Sequence, residues 1–184
     1  MEMLIEEITN FAARAHEGQV RKYAEEPYIK HPIRVMQQCR LHVKDLPIAA
    51  AALLHDVLED TEVTKTELST FLHEKLPAEE AKHSLLLVEQ LTDVYTKEKY
   101  PTLNRRQRKE KEHHRLAGIH PDAQTIKYAD IIDNSRDKAI PENDFAEKLL
   151  NEYKHLLQKI SKGHPVLYQL ANNAVNDALK ELTP

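Results

Sequence analysis

Glycine is almost missing from this sequence: Gly18, Gly118 and Gly163 stand far apart among 184 residues. No Gly-rich phosphate cradle or dinucleotide-binding turn can therefore be written anywhere along it. Cysteine is scarcer still. Cys39 is alone, so no two-cysteine redox motif exists, the residue reads as a small core side chain, and a reducing cytoplasm is the expected setting. The longest apolar run, Ile48 to Leu54, is far too short to span a bilayer, and no membrane association is expected. Met1 to Ala15 carries Glu2, Glu6 and Glu7 where a secretory signal would have a basic start and an apolar stretch. Excess positive charge is lacking too: 26 Lys and Arg against 30 Asp and Glu give a net charge of −4, which argues against a general nucleic-acid binder. Alternating strand patterns are nearly absent. What is abundant is histidine, with eleven residues.

Helical periodicity fills the chain. Leu4, Ile5, Ile8, Phe11, Ala12 and Ala15 predict an amphipathic helix ending near Gly18, with His16 as a residue of its C-terminal cap. Segments 32–42, 47–59, 64–75, 78–92, 101–116, 122–138, 142–161 and 165–181 follow, several opened by a proline, where a missing N–H costs little. The expectation is an all-α fold, one bundle of about eight to ten helices over residues 1–184 with no linker or repeat.

Two of these helices are unusual. Segment 48–58, IAAAALLHDVL, is apolar all round, as a buried helix is, yet it carries His55 and Asp56. Segment 125–134 likewise sets Asp130 between Ala129 and Ile131. A buried carboxylate is costly unless a cation compensates it. With His31, which precedes Pro32 at a helix start, these residues form a set of two imidazoles and two carboxylates. Such a mixed set suits Mn²⁺ or another divalent transition metal with positions left for water and substrate. Glu59 and Asp60 follow His55 and Asp56 by one turn, on the same side of a continuous helix. Carboxylates beside a metal can orient water, take its proton or protonate a leaving group, so the pattern points to a hydrolase. An isolated buried His-Asp pair also occurs as a hydrogen-bonded structural couple; it is the ensemble that favours catalysis.

The strings HEGQVRKYAEEPYIKHP, AALLHDVLEDT and IKYADIIDNSRD, in this order and spacing, resemble the HD-domain hydrolases of the RelA/SpoT homologue family. The likeness is strongest to the small alarmone hydrolases and the metazoan SpoT homologue, and it spans residues 8 to 138. It implies an all-helical HD fold binding one Mn²⁺ through His31, His55, Asp56 and Asp130, with Glu59 and Asp60 as the catalytic pair. It also implies cleavage of the 3′-pyrophosphate from (p)ppGpp by attack of water on the phosphorus attached to the ribose 3′ oxygen. Arg21 and Lys22 match the pair lining the nucleotide pocket, where a guanidinium stacks on a purine and an ammonium meets a phosphate. Asn134 matches a nucleotide contact.

The chain departs from the family at Asp133, where an aromatic residue or histidine is usual, and at Asp137, where threonine is frequent; the loop from Lys22 to Tyr28 is shortened. An ionised Asp133 only accepts hydrogen bonds, from the amine of adenine or from N1 and N2 of guanine, so both (p)ppGpp and (p)ppApp remain expected substrates. The basic segment 105–115, RRQRKEKEHHR, is interleaved with acids and reads as a solvated helix face, with His113 and His114 exposed. Thr92, Asp93 and Lys97 are candidate pocket residues. Competing readings are a broader HD nucleotidase and a non-catalytic alarmone-binding module; the intact Glu59-Asp60 and Arg21-Lys22 pairs favour the pyrophosphohydrolase. The partner expected is a small nucleotide, and no motif specifies an oligomeric state.

Overall fold

The computed structural model describes residues 1–21, 26–136 and 144–182. Ten helices and no strand occur among the described residues, so the protein is all-α. None of these helices is long and apolar enough to cross a membrane. The chain packs as two compact units, Met1–Thr92 and Asp93–Pro184.

The first unit holds α1 (Glu2–Ala15), α2 (Lys30–Arg40), α3 (Leu46–Leu54), α4 (Val57–Asp60), α5 (Lys65–Lys75) and α6 (Ala78–Leu91). Its centre is α3. Asp45 caps α3 by accepting the Ile48 N–H at 3.1 Å, Pro47 occupies the first turn, and a run of alanines sustains the helix. Pro47 to Leu54 are all buried, and α1, α2 and α6 pack around them. Cys39 is fully buried on α2, where burial pushes its thiol up to about 12.

The expected helix over 47–59 is in fact two. It breaks at His55 and Asp56, which form a turn between α3 and α4. Apolar periodicity runs unchanged through the break and so gives no sign of it. Gly18 ends the α1 region with φ of +75°, a conformation only glycine adopts without strain. Beyond it, Val20 and Pro27 form an isolated antiparallel bridge, and the Arg21 N–H donates to the Glu26 carbonyl at 3.1 Å.

The second unit comprises α7 (Arg105–Leu116), α8 (Pro121–Ser135), α9 (Asp144–Leu157) and α10 (Pro165–Glu181). A capping box between Asn104 and Gln107 starts α7 later than the proline at 101 implied. The face of α7 is not wholly solvated. Glu112 is buried and accepts the Val94 and Tyr95 N–H groups at 3.1 and 2.9 Å and Arg115 Nε at 2.7 Å. His113, expected to be exposed, is buried beside it, and burial, then the charges of Lys109 and Lys159, lower its pKa. His114 is exposed as expected.

A turn clasps α8 from its other side. Tyr128, fully buried, donates to the Ile160 carbonyl at 2.9 Å; the Lys162 N–H donates to Gln124 Oε1 at 2.8 Å, and the His164 N–H to Thr125 Oγ1 at 2.9 Å. Gly163 lies so close that a Cβ there would meet Tyr128 Cε2 at 2.6 Å and the Thr125 backbone nitrogen at 2.8 Å. Backbone cannot yield as a flexible side chain does, so Gly163→Ala is expected to cost about 1–3 kcal/mol, read as a lower midpoint in urea unfolding with an unchanged slope.

Candidate metal centre

The break between α3 and α4 creates the site. His55, buried, closes α3, and Asp56 opens α4. His31, also buried, is the second residue of α2. One ligand atom from each of the three lies within 4.8 Å of the other two. His55 Nε2 is 3.1 Å and His31 Nε2 3.6 Å from the same oxygen, Asp56 Oδ2.

The His55 tautomer follows from its other nitrogen. Nδ1 lies 2.9 Å from the Ala52 carbonyl oxygen, which can only accept, so Nδ1 carries the hydrogen and the neutral ring turns a lone pair at Nε2 toward Asp56. Two electron-pair donors 3.1 Å apart repel unless a proton or cation lies between them. Metal–ligand bonds of about 2.1 Å at right angles set neighbouring donor atoms about 3.0 Å apart, so the spacing fits a divalent cation. Two imidazoles and a carboxylate suit a transition metal better than calcium or magnesium.

Tyr28 joins this cluster to the pair beyond it. Its hydroxyl is 2.7 Å from Asp56 Oδ2 and 3.0 Å from Asp60 Oδ2. Desolvation, then the Asp56 charge, raises the Tyr28 pKa far above its ordinary value, so the phenol stays a donor. Its one hydrogen serves one carboxylate at a time, and the shorter contact favours Asp56. Asp60 and Glu59 are exposed, yet the atoms around the Asp60 carboxyl strip part of its water. That desolvation and the Asp56 charge raise its pKa against the opposing hydrogen bond from Tyr28.

In the second unit, Asp130 is buried on α8, with Oδ1 accepting from Asn134 Nδ2 at 2.6 Å and Oδ2 from Lys127 Nζ at 2.8 Å. Burial pushes the Lys127 ammonium down, but Asp130 and Asp93 outweigh it and leave its pKa raised. Lys109 also faces Asp93, at 3.4 Å. Asp133 is half-buried in the last turn of α8. In the first unit, Arg21 is half-buried at the stem of the Val20–Pro27 bridge, and Thr92 caps α6. Lys97 is exposed. Lys22 and Asp137 lie outside the described residues.

Three of the four expected ligands, His31, His55 and Asp56, thus meet within the first unit, with Glu59 and Asp60 one turn further on. Sequence reasoning missed Tyr28 and Lys127 as partners of carboxylates. Lys127 precedes Asp130 by three residues on an apolar helix, a spacing that signals an ion pair; nothing in the spacing of Tyr28 announces its contacts.

The HD domain family matches residues 28–135, a span containing all four expected ligands. The chain belongs to the HD-domain family. Within it, this HD protein groups with the SpoT-type hydrolases. It is 34% identical over 181 residues to the human guanosine-3′,5′-bis(diphosphate) 3′-pyrophosphohydrolase MESH1, covering 96% of this chain and 90% of that protein. The Xenopus tropicalis MESH1 is 33% identical over 87% of this chain and 84% of its own length. A Vibrio cholerae guanosine-3′,5′-bis(diphosphate) 3′-pyrophosphohydrolase is 52% identical over 60 residues, 31% of this chain and 8% of that one. A solved structure of a metazoan SpoT orthologue, described as hydrolysing ppGpp, shares the fold with a TM-score of 0.77 over 95% of this chain and 94% of that one, at 24% identity.

Removing the Tyr28 hydroxyl takes away the donor that orients Asp56. Tyr28→Phe is expected to weaken Mn²⁺ binding by about tenfold or more in calorimetric titration, the usual effect of losing a partner of a metal ligand.

Proposed function

We propose that the protein is a divalent-metal-dependent 3′-pyrophosphohydrolase acting on a purine alarmone, (p)ppGpp or (p)ppApp, in the cytoplasm. The observation that carries this reading is the juxtaposition of the His31–His55–Asp56 cluster with Asp60, joined through one phenol. The proposed ligand set adds Asp130, supported by its burial and by the match of IKYADIIDN to the family. The proposed metal is Mn²⁺, and the whole chain is read as one hydrolase domain. Relatives named for this activity, aligned over nearly the full chain, support the substrate class.

A divalent cation bound there supplies positive charge against the phosphoryl oxygens and lowers the pKa of water. The chain's residues do the rest. Water adds to the phosphorus attached to the ribose 3′ oxygen, the bond between them breaks, pyrophosphate is released, and the ribose oxygen takes a proton. Asp60, its pKa raised, is the member of the acidic pair suited to hold that proton at Oδ2, beside the Tyr28 hydroxyl. Glu59 then orients and deprotonates the water. Arg21 and Lys22 are assigned to the phosphates and the base, and Asp133 and Asn134 to the edge of the purine.

The test is purified protein with Mn²⁺ given ppGpp, pppGpp, ppApp and pppApp in parallel. Pyrophosphate and the 5′-di- or triphosphate nucleoside are expected; single phosphate alone would favour a nucleotidase, and binding without turnover a sensing module. Glu59→Gln and Asp60→Asn should each lower kcat by about 10² to 10⁴ while Mn²⁺ still binds; a fall below tenfold counts against their role.

A further inference from the structure

His16 lies outside the metal cluster and the acidic pair, yet it is buried at the end of α1, only 3% exposed. Its Nδ1 is 2.9 Å from Gln19 Oε1, and Gln19 Nε2 donates to the Asp60 backbone carbonyl at 2.7 Å, across 41 positions of sequence. The direction of this chain of bonds is fixed by its end. A carbonyl oxygen only accepts, so the amide nitrogen of Gln19 must face Asp60 and its oxygen must face His16. An oxygen can bond to His16 only if Nδ1 carries the hydrogen. Nδ1–H is therefore held toward Gln19; in the neutral ring this leaves the lone pair on Nε2, which is buried and has no hydrogen-bond partner among the described residues.

The same ring supports Tyr28. The two rings stack with centroids 4.7 Å apart and planes 25° from parallel. The Tyr28 N–H donates to the Gln19 carbonyl, and the Gln19 N–H to the His16 carbonyl, each at 3.0 Å. His16 thus reaches the Asp60 backbone through Gln19, and its ring packs on Tyr28, whose hydroxyl lies between Asp56 and Asp60. Asp60 needs such a hold, since it ends a helix of four residues and is exposed.

We propose that His16 is a positioning residue for the hydrolysis, acting as the Nδ1–H tautomer through Gln19 to fix the backbone of Asp60. This rests on the pyrophosphohydrolase reading. A capping role at α1 would use only the His16 backbone, and a space-filling role would need neither a set tautomer nor Gln19.

The experiment has two arms, both on the full chain. In the first, nitrogen-15 NMR of histidine-labelled protein, with His16 assigned from the signals lost in His16→Asn, reads the tautomer directly. Nδ1–H is expected, and Nε2–H overturns the proposal. In the second, wild type, His16→Asn, His16→Gln and Gln19→Met are compared with Mn²⁺ and ppGpp. Asparagine keeps a donor at the Nδ1 position, whereas glutamine puts its polar atoms at the Nε2 position. His16→Asn should stay within about threefold of wild type, while His16→Gln and Gln19→Met lower kcat about tenfold to a hundredfold, the scale of misplacing a reacting group. KM and Mn²⁺ affinity should move less than about threefold. Rescue by glutamine instead of asparagine, or an effect on KM alone, overturns the proposal. If the His16 variants fail to fold, Gln19→Met, at a half-exposed site, decides the kinetic arm. Wild type inert toward all four alarmones refutes the hydrolase reading, and the tautomer read in that same sample still decides whether the latch exists.

Discussion

Two electron-pair donors, His55 Nε2 and Asp56 Oδ2, face each other across 3.1 Å at the end of a helix that is buried on every side. The neutral ring has no hydrogen of its own to offer Asp56, because its one N–H is already committed to the Ala52 carbonyl. A cation between them resolves the conflict, and the third donor, from His31, stands where it would share that cation. The apolar burial of α3 makes the constraint rigid. Packed by α1, α2 and α6, α3 cannot turn its last residue away from its neighbour without opening the core.

Around that conflict the first unit arranges a graded set of partners. Tyr28 ties the carboxylate of the cluster to the acidic pair, and Gln19 ties the pair's backbone to the end of α1. The second unit treats its buried carboxylate differently. Asp130 is met by an ammonium and an amide from its own helix, so its charge is compensated within two turns of α8. The turn at 160–164 pins that helix through Gln124, Thr125 and Tyr128.

Much of this was legible in the sequence because it rests on burial and period. An all-α chain, a wholly apolar helix bearing His55 and Asp56, and a second one bearing Asp130 are one-dimensional patterns, and three linked strings named the family. The break after Leu54 was not legible, since both halves of the segment continue the same apolar run. The late start of α7 was missed because the Asn104–Gln107 capping box outweighed the proline upstream. His113 was misjudged for a related reason: in a segment so densely charged, periodicity cannot say which side chain turns inward, and the burial of Glu112 beside it depends on the backbone of residues 94 and 95. Contacts such as Tyr28 to Asp60 depend on how distant turns meet, which no local spacing encodes.

The identity of α3 as both the centre of the first unit's core and the support for His55 has a genetic consequence. In most enzymes, loss-of-function alleles divide into those that lower abundance and those that leave a stable but inert product. Across residues 47–56 that division should follow position: a substitution that loosens the packing lowers abundance as well as shifting a ligand, whereas one that removes a ligand relieves an electrostatic conflict while leaving the helix intact. Inert but abundant alleles in this stretch should therefore collect at its last two positions, with the abundance-lowering ones before them.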